Sequence, residues 1–147
     1  NMNATRRARC EQLVKWGYDL ATFVHPDVDI WDSTQIGENC FIFEDNTIQP
    51  YTSIGSGTIM WSGNHLGHHS SIGEHNFVSS HVVISGSCSI GDQCFFGVNS
   101  TVFDGLRIGD RSLVGAGAIV SRDLHEESLV VAKGTGINAR KTSELDF

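Results

Sequence analysis

Residues 54–73 read IGSGTIMWSGNHLGHHSSIG. Large apolar residues occupy every sixth place, at Ile54, Met60, Leu66 and Ile72, and Ile-Gly stands at both ends, eighteen residues apart. An amphipathic helix would need apolar residues three and four apart, and a long half-buried strand would need strict alternation. A period of six fits neither. The same phase runs back through Ile48, Ile42 and Ile36 to Ile30, and forward through Val78, Ile84, Ile90, Phe96, Val102, Ile108 and Val114 to Val120. Four residues after these positions stand mostly small residues, among them Thr34, Cys40, Thr58, Asn64, Ser70, Cys88, Cys94, Ser100 and Ala118. Ile-Gly itself recurs at Ile36, Ile54, Ile72, Ile90 and Ile108. Six residues suffice for one short strand and a corner, and three such sides close a triangular coil of eighteen. Stacked coils pair strand on strand in parallel, about 4.8 Å apart, with the stepped aliphatics as a continuous interior column. The predicted fold is therefore an all-β solenoid, a parallel β-helix of between five and six coils.

Composition narrows the function classes. A chain of 147 residues is one domain of ordinary size. No apolar run approaches the roughly 20 residues of a membrane span, and NMNATRRARCEQ does not read as a signal peptide, so a cytoplasmic location is expected. A net charge of −7 argues against a general nucleic-acid binder, because phosphate neutralisation needs a basic surface. Between Lys15 and Arg107 there is no Lys or Arg, so a site for an anionic ligand must draw its cations from the ends of the chain. Residues 1–23 read as a helix and lead-in, with Thr5 as N-cap of a helix over Arg6 to Trp16 and Gly17 ending it. That helix is expected to cover the open first coil. The solenoid occupies 24–122. After Val120 the six-residue phase stops, and 123–147, carrying Lys133, Arg140 and Lys141, is expected to cap or flank the last coil.

Cys40, Cys88 and Cys94 fall on the small inward position of the repeat, so packing explains them and no metal is expected. Four of the seven histidines, His65, His68, His69 and His75, crowd one coil. For His69 and His75 the solvated-corner reading is preferred. His68 differs, because steps of eighteen along its edge give Gly86, Asp104 and Arg122. Those positions are about 5 Å apart along the axis, an edge of about 15 Å that suits an extended pantetheine arm. A thioester carbonyl over Gly86 would meet a backbone N–H with no side chain in the way, and Arg122 would meet coenzyme A phosphates.

The repeat resembles the hexapeptide-repeat left-handed parallel β-helix over residues 24–120, and the resemblance supplies the handedness. At WSGNHLGHHSSIG, FVSSHVVISG, FFGVNSTVFDGLRIGD and VGAGAIV the chain resembles bacterial sugar acyltransferases of the sialic-acid O-acetyltransferase (NeuD-like) family, which includes nucleotide-amino-sugar N-acetyltransferases. Even RRARCEQLVKWGYDLATFVHP resembles the helix that joins that family's solenoid to an N-terminal sugar-nucleotide domain. The resemblance implies a homotrimer with acetyl-CoA lying between adjacent solenoids. It also implies a general-base His at the head of an H-x-x-x-I-G segment, here His68 to Gly73. Relatives often carry an acidic residue just before that His, where this chain has Gly67, so the partner that orients His68 is open. Where relatives often carry a second coenzyme-facing His this chain has Phe77, with His65 or His81 as substitutes.

The implied chemistry is direct acetyl transfer from acetyl-CoA to a sugar hydroxyl or amine, or to a nucleotide-linked sugar, with no covalent enzyme intermediate. His68 and His65 are the catalytic candidates, and Gly86, Asp104, Gly105, Gly115, Gly117 and Arg122 the coenzyme-binding ones. Asn64, Trp61 and His69 are expected to hold the acceptor. Two other readings compete. The trimeric zinc carbonic anhydrases share the solenoid but place His on stacked coils, whereas here Thr47 and Val83 flank His65, and Pro50 and Gly86 flank His68. A non-catalytic trimeric scaffold is the other, since fold does not imply function.

Overall fold

The structure, a computed structural model, describes residues 2–134 and 136. Each hexad folds as a two-residue strand and a corner. The strands stack in three parallel ladders of seven, six and five, the sides of a left-handed β-helix. Partners in a ladder are eighteen residues apart, as the Ile-Gly period requires: Phe77 pairs with Ile59, Val83 with His65, and Ser89 with Ser71. Of each strand pair the first residue points out and the second in. Ile42, Ile48, Leu66, Phe96, Val102 and Val114 are wholly buried and make up the interior column. The outward ladders are Phe23 to Leu129 on the first side, Asp29 to Ile119 on the second, and Gln35 to Arg107 on the third.

The small inward positions are buried at the corners. Cys40, Cys88 and Cys94 are buried free thiols there, and burial pushes the Cys94 thiol up to about 11. Asn64, expected to hold an acceptor, belongs to this interior set. It is buried, its Nδ2 donates to the Trp61 carbonyl, and its Oδ1 accepts from Val82 N at 2.8 Å. With both ends of the amide used in the scaffold, Asn64 is a structural residue.

The N-terminal helix, α1, spans Met2–Lys15 and ends at Gly17, which takes the left-handed conformation (φ 87°). It begins ahead of Thr5, so that residue lies inside the helix instead of capping it. It also lies lengthwise along the corner between the third and first sides, not across the first coil. Cys10 accepts from Asn39, Arg6 donates to the carbonyls of His75 and Asn76 (2.8 and 3.0 Å), and Asn3 donates to that of Cys94 (2.8 Å). The reason is chemical: MNATRRARCEQLVK has no apolar stripe to cover an open coil, but it has side chains that reach backbone carbonyls. Ile30 in the first coil stays 39% exposed.

Beyond Val120 the phase slips by two residues and then resumes. Leu124 bridges Ile108, and Leu129–Val130 pairs with Leu113–Val114, sixteen residues back. Asp123 makes the shorter corner by accepting from Arg107 N at 2.9 Å, and Arg111 pairs with Glu126 and Glu127. Lys133 is exposed, whereas Arg140 and Lys141 lie outside the described residues. Among the described residues no helix is long and apolar enough to cross a membrane.

Candidate active site

The corner between the second and third sides carries the expected base, His68. Leu66, fully buried, anchors it from within, and Gly67 follows because any Cβ there would run into the Gly86 amide of the next coil. His68 and His69 form the turn. The pairing of Thr47, His65, Val83, Thr101 and Ile119 along the second side stacks His68, Gly86, Asp104 and Arg122 on one edge.

His68 is held from several directions. Its N–H donates to Gln49 Oε1 (2.9 Å) and its carbonyl accepts from Ser87 N (2.8 Å). Its ring lies over the bare α-carbon of Gly86, where a Cβ would come within 2.9 Å of both Cε1 and Nε2. The Gly86 carbonyl accepts from Gly105 N at 2.9 Å, while the Gly86 N–H has no partner among the described residues. His68 Nδ1 lies 3.0 Å from His69 Nδ1, with the rings at 84°. His69 in turn packs on the Tyr51 ring, centroids 5.0 Å apart. Asp104 and Gly105 are exposed, and Arg122 is exposed and without an ion pair among the described residues.

Other expected site residues fall elsewhere. Trp61, Gly115 and Gly117 occupy the preceding corner, between the first and second sides, where Trp61 stacks on Phe43 with centroids 4.9 Å apart and 5° between planes. Gly117 there takes a left-handed conformation (φ 67°) with open space where a side chain would stand. His65 faces outward on the second side, between the two corners. Phe77 lies on the first side, stacked on Phe95 (5.4 Å), away from the His68 edge. His75, read as a solvated corner residue, is 8% exposed, because α1 lies over its corner and Arg6 takes its carbonyl. Burial, then the Arg6 charge, lowers its pKa below the ordinary histidine value. Among the described residues no three His, Cys, Asp or Glu gather as metal ligands.

Two residues at the His68 corner escaped sequence reasoning, Gln49 and Tyr51. The signal was available: eighteen residues before Gly67 stands Gln49, and eighteen before His69 stands Tyr51.

Comparison with known proteins agrees with this architecture. Residues 88–122 match the family model described as hexapeptide repeat of succinyl-transferase. No curated protein sequence is significantly similar. Among solved structures, PerB from Caulobacter crescentus, in complex with CoA and GDP-perosamine, is 27% identical with a TM-score of 0.85, over 90% of this chain and 66% of that one. A mutant of perosamine N-acetyltransferase from the same organism, also with CoA and GDP-perosamine, matches at 26% identity with the same TM-score and coverage. The chain thus spans just under two thirds of the length of these proteins. The acetyltransferase domain of PglB from Neisseria gonorrhoeae shares the fold at 23% identity and a TM-score of 0.80, over 83% of this chain and 60% of that one. By its repeat, its coils and its structural neighbours, the chain is a left-handed β-helix of hexapeptide repeats, similar in structure to CoA-binding sugar acetyltransferases.

Proposed function

We propose that the chain catalyses acetyl-CoA-dependent acetylation of a sugar or nucleotide-linked sugar, with His68 as general base. One observation carries this: an imidazole lies against an unsubstituted glycine, on an edge that ends in an arginine, and among the described residues neither the glycine N–H nor the arginine has a partner. The Caulobacter proteins, solved with CoA and GDP-perosamine, support the substrate classes.

In this reaction His68 Nε2 takes the proton of the acceptor amine or hydroxyl as its lone pair attacks the thioester carbonyl carbon. The carbonyl electrons move onto oxygen, which accepts from the Gly86 N–H. Collapse breaks the C–S bond, and the departing sulfur recovers the proton from the imidazolium. The acetyl group passes directly between substrates. Asp104 and Gly105 line the path of the pantetheine arm, and Arg122 meets the phosphates. The perosamine N-acetyltransferase likeness favours an amine acceptor, and the O-transfer implied by the sialic-acid family is the other outcome of an acceptor screen.

Trp61, His81, Gly115 and Gly117 lie across the second side from His68, so they reach the same groove only from an adjacent copy. A homotrimer with one groove between each pair of solenoids brings both corners to the coenzyme. Acetyl-CoA as donor also places the reaction in the cytoplasm. Calorimetric titration of the purified chain with acetyl-CoA tests the reading. One site per chain, weakened about tenfold or more by Arg122→Ala, is the expected result. Absence of binding by a folded oligomer favours the scaffold reading.

A further inference from the structure

We propose that His69 is the positioning residue of the His68 base, accepting the Nδ1–H of His68 and so keeping the His68 Nε2 lone pair free on the Gly86 edge. The inference rests on the reading of His68 as base. It starts from the two Nδ1 atoms, which lie 3.0 Å apart. Two imidazole lone pairs do not face each other at that distance, so one nitrogen carries a proton. If His69 donated, His68 would hold its own proton on Nε2 and have no lone pair for an acceptor. If His68 donates, its Nε2 is bare, on the part of the ring that lies against the open side of Gly86, whose N–H has no partner among the described residues. The second ring nitrogen of a histidine is set by the bond the first one makes.

The corner is built to hold His69 in that role. The turn gives His69 the left-handed backbone (φ 58°) that recurs at corners throughout this solenoid. The Tyr51 ring, one coil below, packs against its imidazole, and Gln49 pins the His68 backbone from the same coil. His69 is therefore not an acceptor-sugar ligand through Nδ1, because that atom is engaged with His68.

A histidine partner has a consequence that a carboxylate partner lacks. Protonation of His69 turns its Nδ1 into a donor, which forces the His68 proton onto Nε2 and abolishes the base. Both rings must then be neutral for transfer. Tyr51 is the other titratable group against His69, and Asp104 and Arg122 stand two and three coils from His68 on the same edge. The first proton that the pair takes up therefore abolishes the base.

The test combines imidazole 15N NMR at about pH 8 with kcat and KM of the wild-type chain and of His68→Ala, His69→Ala and His69→Asn. Asn tolerates the left-handed backbone and keeps an acceptor oxygen. The expected wild-type spectrum shows His68 protonated on Nδ1. His69→Ala should lose that tautomer and about tenfold or more in kcat, with little change in KM for acetyl-CoA. His69→Asn should recover most of the rate, because its amide oxygen accepts the Nδ1–H. A wild-type His68 carrying its proton on Nε2 overturns the proposal, as does a His69→Ala enzyme with the wild-type rate while His68→Ala is inactive. An active His68→Ala enzyme instead overturns the base reading, and the tautomer then judges the pairing alone. If His69→Ala does not fold, judged by circular dichroism, the spectrum and His69→Asn decide.

Discussion

At Gly86 the missing side chain is what lets the His68 ring lie against the next coil. Gly86→Ala would put a methyl 2.9 Å from Cε1 and Nε2, inside ordinary van der Waals contact, so the ring must swing away and its pairing with His69 breaks. Because the His68 ring is exposed, the cost falls on activity more than on folding. Steady-state assay beside a thermal melt should show transfer reduced about tenfold to a hundredfold and the melting point shifted by no more than a few degrees. His68→Ala should reduce kcat by about two orders of magnitude while acetyl-CoA still binds. Full activity in either variant contradicts the assigned geometry.

The N-terminal helix adheres to the solenoid through polar contacts, and that makes its stability sensitive to pH. Arg6 is partly buried, with its donors on the carbonyls of His75 and Asn76. Arg6→Ala removes charge-assisted bonds and should cost about 1–3 kcal/mol by chemical denaturation. Beneath it His75 has its pKa lowered by burial and then by the Arg6 cation. The unfolded chain therefore binds a proton at His75 more readily than the folded chain does. Stability is retained above the ordinary histidine value and is lost as pH falls below about 6.5 towards the folded value. Denaturation midpoints measured across that range should decline in the wild type and flatten in His75→Asn, which also suits the left-handed backbone there (φ 55°).

Across the whole molecule the first side is the unusual surface. Its outward ladder is apolar throughout, with Phe23 and Phe41 each 42% exposed and Leu113 39%. Monomeric proteins seldom display so continuous an apolar row. Sedimentation should return three times the 16.0 kDa chain mass, independent of concentration in the working range. A monomer that still binds acetyl-CoA would show that one chain completes the groove. Within each coil, Leu66→Ala would open a cavity in the column below His68, at a cost of about 2–5 kcal/mol.

The solenoid was legible in the residues because its order is translational. A period of six places every inward side chain, a period of eighteen places every stacked neighbour, and both can be counted without knowing any distance. That is why His68, Gly86, Asp104 and Arg122 share an edge in the structure as in the count. The same count, run backwards from His69, reaches Tyr51. Properties that depend on direction within a coil were not legible. Spacing puts Asn64 among the inward positions, but it does not say that both ends of its amide are used in the scaffold or that the Nδ1 atoms of His68 and His69 turn to each other, since those follow from how each corner bends. The path of α1 was out of reach as well. Its polar side chains find carbonyls on coils up to 91 residues away, and contacts of that kind exist only after the coils have stacked. The sequence by itself determined the repeat, the interior column and the edge of His68. Tertiary structure alone decided which ring holds His68, which histidine is buried beneath the helix, and which expected site residues meet, because each depends on side-chain directions that no periodicity encodes.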